Sequence, residues 1–208
     1  MGGRRRYRRQ TGSRAYRRIF LIATEGRITE KIYFARVDKI TDDAIRVACL
    51  KSQKNQSNPD KVLNELKRKL KEIELKKNDE AWVVIDRDAW TDEHLQRLQN
   101  WEKQQANYHL AISNPKFELW LLLHFEDGRA DDCESRLKYH LPGYNKTFNP
   151  DSITLELIHE AIDRARQKDV SAQHYSGWPP PGVTTVYKLL KSILCSSGGA
   201  SHPPTTGK

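Results

Sequence analysis

Ile19-Phe20-Leu21-Ile22-Ala23-Thr24-Glu25-Gly26 is the stretch on which the fold turns. Five apolar residues in unbroken succession read as a strand buried on both faces, as in the middle of a parallel sheet. The run ends at an acid and a glycine, so the loop leaving it carries a carboxylate. The same grammar returns at Ala81-Trp82-Val83-Val84-Ile85-Asp86-Arg87-Asp88, where acids again follow the apolar run directly. Two shorter candidates, residues 44–50 (AIRVACL) and 108–112 (YHLAI), bring the set to four. Helical patterns lie between them. Residues 29–39 put Ile32, Tyr33 and Val37 on one side. Asn58-Pro59-Asp60 opens a longer helix with Val62, Leu63, Leu66, Leu70 and Ile73 as its apolar stripe and lysines opposite. Residues 92–105 carry Leu95, Leu98 and Trp101 at helical spacing. Strands alternating with helices predict an α/β fold built on a parallel, right-handed, helix-flanked sheet. Pro115 marks the expected start of a further helix, apolar on nearly all sides over residues 117–125 and therefore buried.

From about residue 126 the pattern changes to helices alone, expected near 131–140, 152–168 and 184–194. The Gly177-Trp178-Pro179-Pro180-Pro181-Gly182 segment must be an irregular loop. The resulting organisation is a basic disordered arm over residues 1–18, a domain over 19–195 and a disordered Gly/Ser/Pro/Thr-rich tail over 196–208. The domain divides into a core over 19–125 and a C-terminal helical extension over 126–195.

Composition narrows the class. The net charge is +9, but residues 1–18 alone hold Arg4, Arg5, Arg6, Arg8, Arg9, Arg14, Arg17 and Arg18 and no acid. Without those eight arginines, 28 basic residues face 27 acidic ones, so the basicity belongs mostly to the arm. Such an arm tracks phosphate backbones without reading sequence, or simply keeps the chain in solution. Cys49, Cys133 and Cys195 are scattered, odd in number and without a CxxC pair, which argues for a reducing, cytoplasmic setting. The seven histidines form no HxxxH or Cys/His cluster, so zinc has no support. The apolar runs are far too short for a bilayer, which takes roughly 20 residues.

In a parallel sheet the carboxyl ends of the strands share one edge. In the common doubly wound orders the first and third strands are neighbours, and the chain reverses its winding between them, which is where ligands bind. Adjacent strands are about 4.8 Å apart, so Glu25 and Asp86 are expected to converge. Asp88, two residues beyond Asp86, points the same way in extended chain. Three gathered carboxylates repel unless a cation neutralises them. Hard oxygen ligands suit Mg2+ or Mn2+, with water and substrate phosphate completing the shell. An aspartate after a strand is also an ordinary turn or capping residue. It is the joint pattern after two strands that points to a metal.

The segment Ile22-Ala23-Thr24-Glu25-Gly26-Arg27-Ile28-Thr29-Glu30-Lys31-Ile32-Tyr33-Phe34 resembles the EG-x-x-TE-x-x-YF opening of RloB-like proteins. Asp86-Arg87-Asp88 is similar to their D-R-D, and residues 112–125 (ISNPKFELWLLLHF) to their central SNP-x-FE-x-W-LLLHF block. Tyr144-Asn145-Lys146 resembles a later Y-x-K, and residues 184–190 (TTVYKLL) a closing TTV-x-x-L segment. The likeness runs from about residue 19 to 194. It implies a TOPRIM-like four-stranded parallel sheet with a glutamate after the first strand and a DxD after the third. By that analogy Glu25, Asp86 and Asp88 bind the metal. Asn114 and Glu118 support a second metal or position substrate, unless Glu118 merely caps or salt-bridges its helix. Lys146 contacts phosphate or the transition state, and Arg27 and Arg87 join the arm as substrate contacts. Thr29 and Glu30 read as a helix start. One departure stands out: two residues after the D-R-D, where the family often has aspartate or histidine, this chain has Trp90.

The resemblance implies a magnesium-dependent nuclease of DNA or RNA, tRNA included, in bacterial phage defence beside an ATPase from the same locus. No GxxxxGK[ST] loop is present, so ATP hydrolysis would come from that partner. Two other classes stay open. One is a different DxD-dependent phosphotransfer enzyme, although haloacid dehalogenases carry that motif after their first strand and no glycine-rich nucleotide loop is present. The other is a non-enzymatic regulatory or nucleic-acid-binding subunit. Homo-oligomerisation is left open.

Overall fold

A computed structural model of the chain describes residues 16–50, 59–87, 90–129, 131–172 and 177–197. Its centre is a four-stranded parallel sheet made of β1 (Arg18–Thr24), β2 (Ile45–Cys49), β3 (Glu80–Asp86) and β4 (Tyr108–Ser113), in the order β2-β1-β3-β4. The chain therefore reverses its winding between β1 and β3, and the two are direct neighbours in register Phe20↔Glu80 to Thr24↔Val84. The α/β sheet expected from the alternating pattern is present. Strand alternation sorts the core into two layers. Phe20, Ile22, Trp82, Val84 and Ala111 face one side of the sheet, and Leu21, Ala23, Val83, Ile85 and Ile112 the other.

The second side is covered by α2 (Pro59–Glu72) and α3 (Asp92–Glu102), through Val62, Leu63, Leu66, Leu95, Leu98 and Trp101. These are the stripe residues of the periodic pattern, apart from Leu70, which packs only partly buried, and Ile73, which falls just beyond the helix. The first side is thicker. It holds α1 (Thr29–Ile40), α4 (Phe117–Leu122), α5 (Cys133–His140), α6 (Leu155–Ser171) and α7 (Val186–Ser197), with Tyr33, Phe34, Phe117, Trp120 and Leu190 among its buried members. The C-terminal helices thus complete the core of the sheet they follow.

Several boundaries differ from the sequence reading. Residues 16–18 are not part of a disordered arm. Arg18 opens β1, Arg17 donates to the Ile45 carbonyl at 2.5 Å, and the Tyr16 hydroxyl bonds Asp79. Residues 1–15, including the other arm arginines, lie outside the described residues. Helix α4 begins at Phe117, two residues after the expected proline. Asn114 and Pro115 are instead joined by a cis peptide bond and pinned in place: Arg87 N–H donates to the Pro115 carbonyl, and Asn114 is bonded to the Gly182–Val183 backbone. The helix ends at Leu122, and tighter turns carry the chain through His124 and Phe125. Helix α3 stops at Glu102, three residues short of the expected end. Helix α6 starts at Leu155, because Thr154 caps it after a 3-10 turn at Pro150–Ser152. Helix α7 runs to Ser197, so residues 196 and 197 are helix and not tail. Residues 183–185 also form an unforeseen seam along β4, with Thr184 bridging Ser113 in antiparallel sense and Thr185 N–H bonded to the Ile112 carbonyl. This covers an edge whose backbone groups would otherwise lack partners.

No disulfide forms: Cys49, Cys133 and Cys195 are free. Among the described residues no helix is long and apolar enough to cross a membrane.

Candidate acidic cleft at the switch point

The loop after β1 begins with Glu25, whose N–H still donates to the Val84 carbonyl at 3.2 Å and so extends the β1–β3 ladder by one step. Asp86 is the last residue of β3 and pairs with Ser113 of β4. Its Oδ1 accepts the N–H of Phe117, the first residue of α4, at 2.8 Å. A carboxylate satisfying a helix's first free N–H is a favourable arrangement, and it fixes Asp86 relative to the central block of the sequence. Glu25 and Asp86 both line one cleft of about 440 Å³ at the carboxyl edge of the sheet. Arg27, Glu30, Glu118 and Lys146 share its walls. The convergence of the first and third strands' loops is therefore observed.

Two buried acids deepen the cleft. Glu30, in the first turn of α1, is 6% exposed, and Glu118 of α4 is 8% exposed. Glu118 Oε1 accepts the Tyr144 hydroxyl at 3.0 Å. Burial pushes the Glu30 carboxyl up to about 7; the backbone N–H groups of Glu30 and Gly26 pull it down, while Glu118 and Glu25 raise it further. That is the response of an acid placed among other acids in a desolvated wall. Gly26 makes room for it: a Cβ there would lie 1.7 Å from Glu30 Oε2, a distance no side chain tolerates.

The rim is held by specific contacts. Thr29 donates its hydroxyl to the Lys146 carbonyl at 2.7 Å, tying the start of α1 to the loop after α5. Lys146 sits at φ 61°, a left-handed conformation that is uncommon for a residue with a side chain. Its side chain and that of Arg27 are exposed at the cleft. Burial, and then the nearby Glu118, push the Tyr144 hydroxyl far above the usual tyrosine range, so it remains a donor to Glu118. On the opposite side, the Trp90 indole N–H donates to Glu25 Oε2 at 2.9 Å.

Not every residue singled out from the sequence lines this cleft. Arg87 turns within its own loop: Nη1 donates to the Trp90 carbonyl at 2.6 Å, and Nη2 pairs with Asp92 at 2.9 Å. Asn114 donates to the Pro179 carbonyl at 2.7 Å, and its backbone holds the Pro-rich loop against β4. Asp88 lies outside the described residues, as do Arg4, Arg5, Arg6, Arg8 and Arg9. Among the described residues no three His, Cys, Asp or Glu side chains are gathered so as to hold a metal by themselves. Sequence reasoning also passed over contributors to the cleft. In the sequence Glu30 reads only as a helix start, Tyr144 as the first letter of a motif and Trp90 as a departure, because burial and a partner 65 positions away leave no local mark.

The donor chemistry fits a hard divalent cation. Magnesium is commonly held through one or two carboxylates, with waters and substrate phosphates completing the shell, so a full protein cage is not required. Glu25 and Asp86 are the two carboxylates that could meet that need, with Arg27 and Lys146 at the same walls.

A parallel sheet with carboxylates at the ends of its first and third strands lining one cleft at the switch point defines an α/β protein with an acidic cleft. The chain belongs to the RloB family, described as RloB-like protein, whose model matches residues 20–193. Neither a curated protein nor a solved structure matches it.

Proposed function

We propose that this chain is a TOPRIM-type, magnesium- or manganese-dependent nuclease that hydrolyses phosphodiester bonds of DNA or RNA, tRNA included, in bacterial phage defence with an ATPase partner. The observation that carries this reading is the convergence of Glu25 and Asp86, from adjacent parallel strands, in one cleft. The family's likeness to TOPRIM proteins and the arginine-rich arm support the choice of nucleic acid as substrate.

In this reading Glu25 and Asp86, joined by Asp88, hold the cation. Bound there, it would polarise a phosphodiester and lower the pKa of a water. The protein's own groups do the rest. The Phe117 N–H and the Trp90 indole fix the two carboxylates before substrate arrives, and such preorganisation removes the need for rearrangement during reaction. Lys146 and Arg27 stand where an incoming phosphate meets the rim and offset the acidity of the walls. Tyr144 keeps Glu118 oriented toward the same space.

The test is cleavage of single- and double-stranded DNA and of tRNA by the full chain with its ATPase partner and Mg2+. Glu25→Gln and Asp86→Asn each lower cleavage at least about 100-fold, the scale of losing a preorganised electrostatic group. Unchanged cleavage by both variants removes the assignment. A second reading is a non-enzymatic nucleic-acid-binding or regulatory subunit, for which the exposed Arg27 and Lys146 at the cleft would serve as phosphate contacts. Calorimetry separates the two, because that subunit would bind partner or nucleic acid yet give no heat with Mg2+.

A further inference from the structure

Trp90 contributes more to the cleft than packing. Its indole N–H donates to Glu25 Oε2 at 2.9 Å, a charge-assisted bond from a neutral donor. The indole is itself braced. The Trp90 carbonyl accepts Arg87 Nη1 at 2.6 Å, the same guanidinium reaches Asp92 at the start of α3, and the Arg87 N–H is bonded to the Ser113 and Pro115 carbonyls. The ring lies edge-on to His94, with centroids 5.9 Å apart and planes at 74°, and packs against the core layer under α2 and α3. A residue anchored at its backbone carbonyl, its ring and its indole N–H holds its partner in one orientation.

That matters because cations use carboxylates differently. Calcium takes six to eight oxygens in flexible shells and often grips a carboxylate through both oxygens; magnesium requires a tight octahedron. A carboxylate with one oxygen committed to an N–H donor resists two-oxygen chelation. Resting on the metal reading above, we propose that Trp90 is a positioning residue that sets the cation preference of the cleft: by engaging Glu25 Oε2 it disfavours calcium relative to magnesium and manganese. Arg87 acts behind it as the brace of the same loop.

The experiment is isothermal titration of the full chain and of its Trp90→Phe variant with MgCl2, MnCl2 and CaCl2, with circular dichroism to establish that the variant is folded. Phenylalanine keeps an aromatic ring and deletes the donor. The ratio of the calcium to the magnesium dissociation constant is expected to fall about tenfold in Trp90→Phe, equivalent to about 1.4 kcal/mol. A folded variant with the wild-type ratio overturns the proposal. The indole N–H resonance of Trp90 in the 15N-labelled wild-type chain gives an answer independent of how the variant folds. It keeps its hydrogen-bonded position on addition of MgCl2 and shifts on addition of CaCl2; an identical response to both salts overturns the proposal. A wild-type chain that gives no heat with any of the three salts removes the metal reading of the cleft, a different failure from an unchanged ratio.

Discussion

Both ends of the central sheet carry acids, yet the two ends treat them in opposite ways. At the amino edge, Asp79 is 1% exposed and accepts the Ile19 and Lys76 N–H groups at 2.8 Å each, with the Tyr16 hydroxyl as a third donor. Beside it Glu80 receives Arg18 at 2.5 Å, the Trp82 indole at 2.8 Å and the Ser192 hydroxyl, so one carboxylate joins β1, β3 and α7. At the carboxyl edge, Glu25, Glu30, Asp86 and Glu118 share a cleft, and one of them has its carboxyl pushed up to about 7. The first end uses acids to close the structure. The second gathers them around one cleft, with Glu25, Asp86 and Glu118 each accepting from a neutral N–H or O–H donor, a grouping characteristic of functional sites.

The comparison breaks most visibly in activity. Glu25→Gln and Asp86→Asn are expected to cost about two orders of magnitude or more in cleavage, while each changes the unfolding free energy by less than about 1 kcal/mol. Removing charge from a crowded wall relieves repulsion as it removes hydrogen bonds. A variant that instead unfolds the chain would show that the carboxyl edge is structural like the amino edge.

Asp79→Ala gives the mirror result. It leaves the Ile19 and Lys76 N–H groups without their acceptor at a buried site, and unmet donors cost about 1–3 kcal/mol each. The expected loss is about 3 kcal/mol in urea denaturation, with Mg2+ affinity unchanged when measured below the transition. Loss of cation binding in a folded Asp79→Ala chain would mean that the two edges are coupled through β3.

How much of this contrast could be read beforehand depends on the range of the interactions. The runs at residues 19–23 and 81–85 announced central parallel strands because burial on both faces writes itself into consecutive residues. Glu25 and Asp86 were legible because each directly follows such a run, and sheet topology does the rest. Contacts made across the fold were not legible. Nothing near Trp90 says that its N–H meets Glu25, nothing near Tyr144 says that it meets Glu118, and nothing in TTV says that residues 183–185 line β4. At the amino edge the arginine count concealed that Tyr16, Arg17 and Arg18 are already engaged with the sheet.

Gly26 sharpens the account of the acidic wall at an intermediate scale. Gly26→Ala places a methyl group into the Glu30 carboxylate, and overpacking of this kind costs about 1–3 kcal/mol. In the Glu30→Ala background the same substitution should cost less than about 1 kcal/mol. The double-mutant cycle then shows a coupling of about 1 kcal/mol or more by chemical denaturation. Additive effects would mean that Glu30 does not occupy the space against Gly26.

The smallest effect lies at the amino edge and appears only in alkali. Burial, with the hydrogen bond to Asp79 behind it, pushes the Tyr16 hydroxyl up to about 12 from an ordinary value of 10. A tyrosine raised in the folded state contributes stability that is fully present below pH 10 and is lost as pH rises through about 12, because the unfolded chain gives up its proton first. Tyr16 is 43% exposed, so solvent screening holds the contribution to about 0.5 kcal/mol. Tyr16→Phe, which has no proton to lose, should therefore be slightly less stable than wild type at pH 8, and the gap should narrow between pH 10 and pH 12. A constant gap across that window would show that Tyr16 steadies the amino edge by its ring, which the Lys76 ammonium approaches to 4.0 Å from the centroid, and not by donating to Asp79.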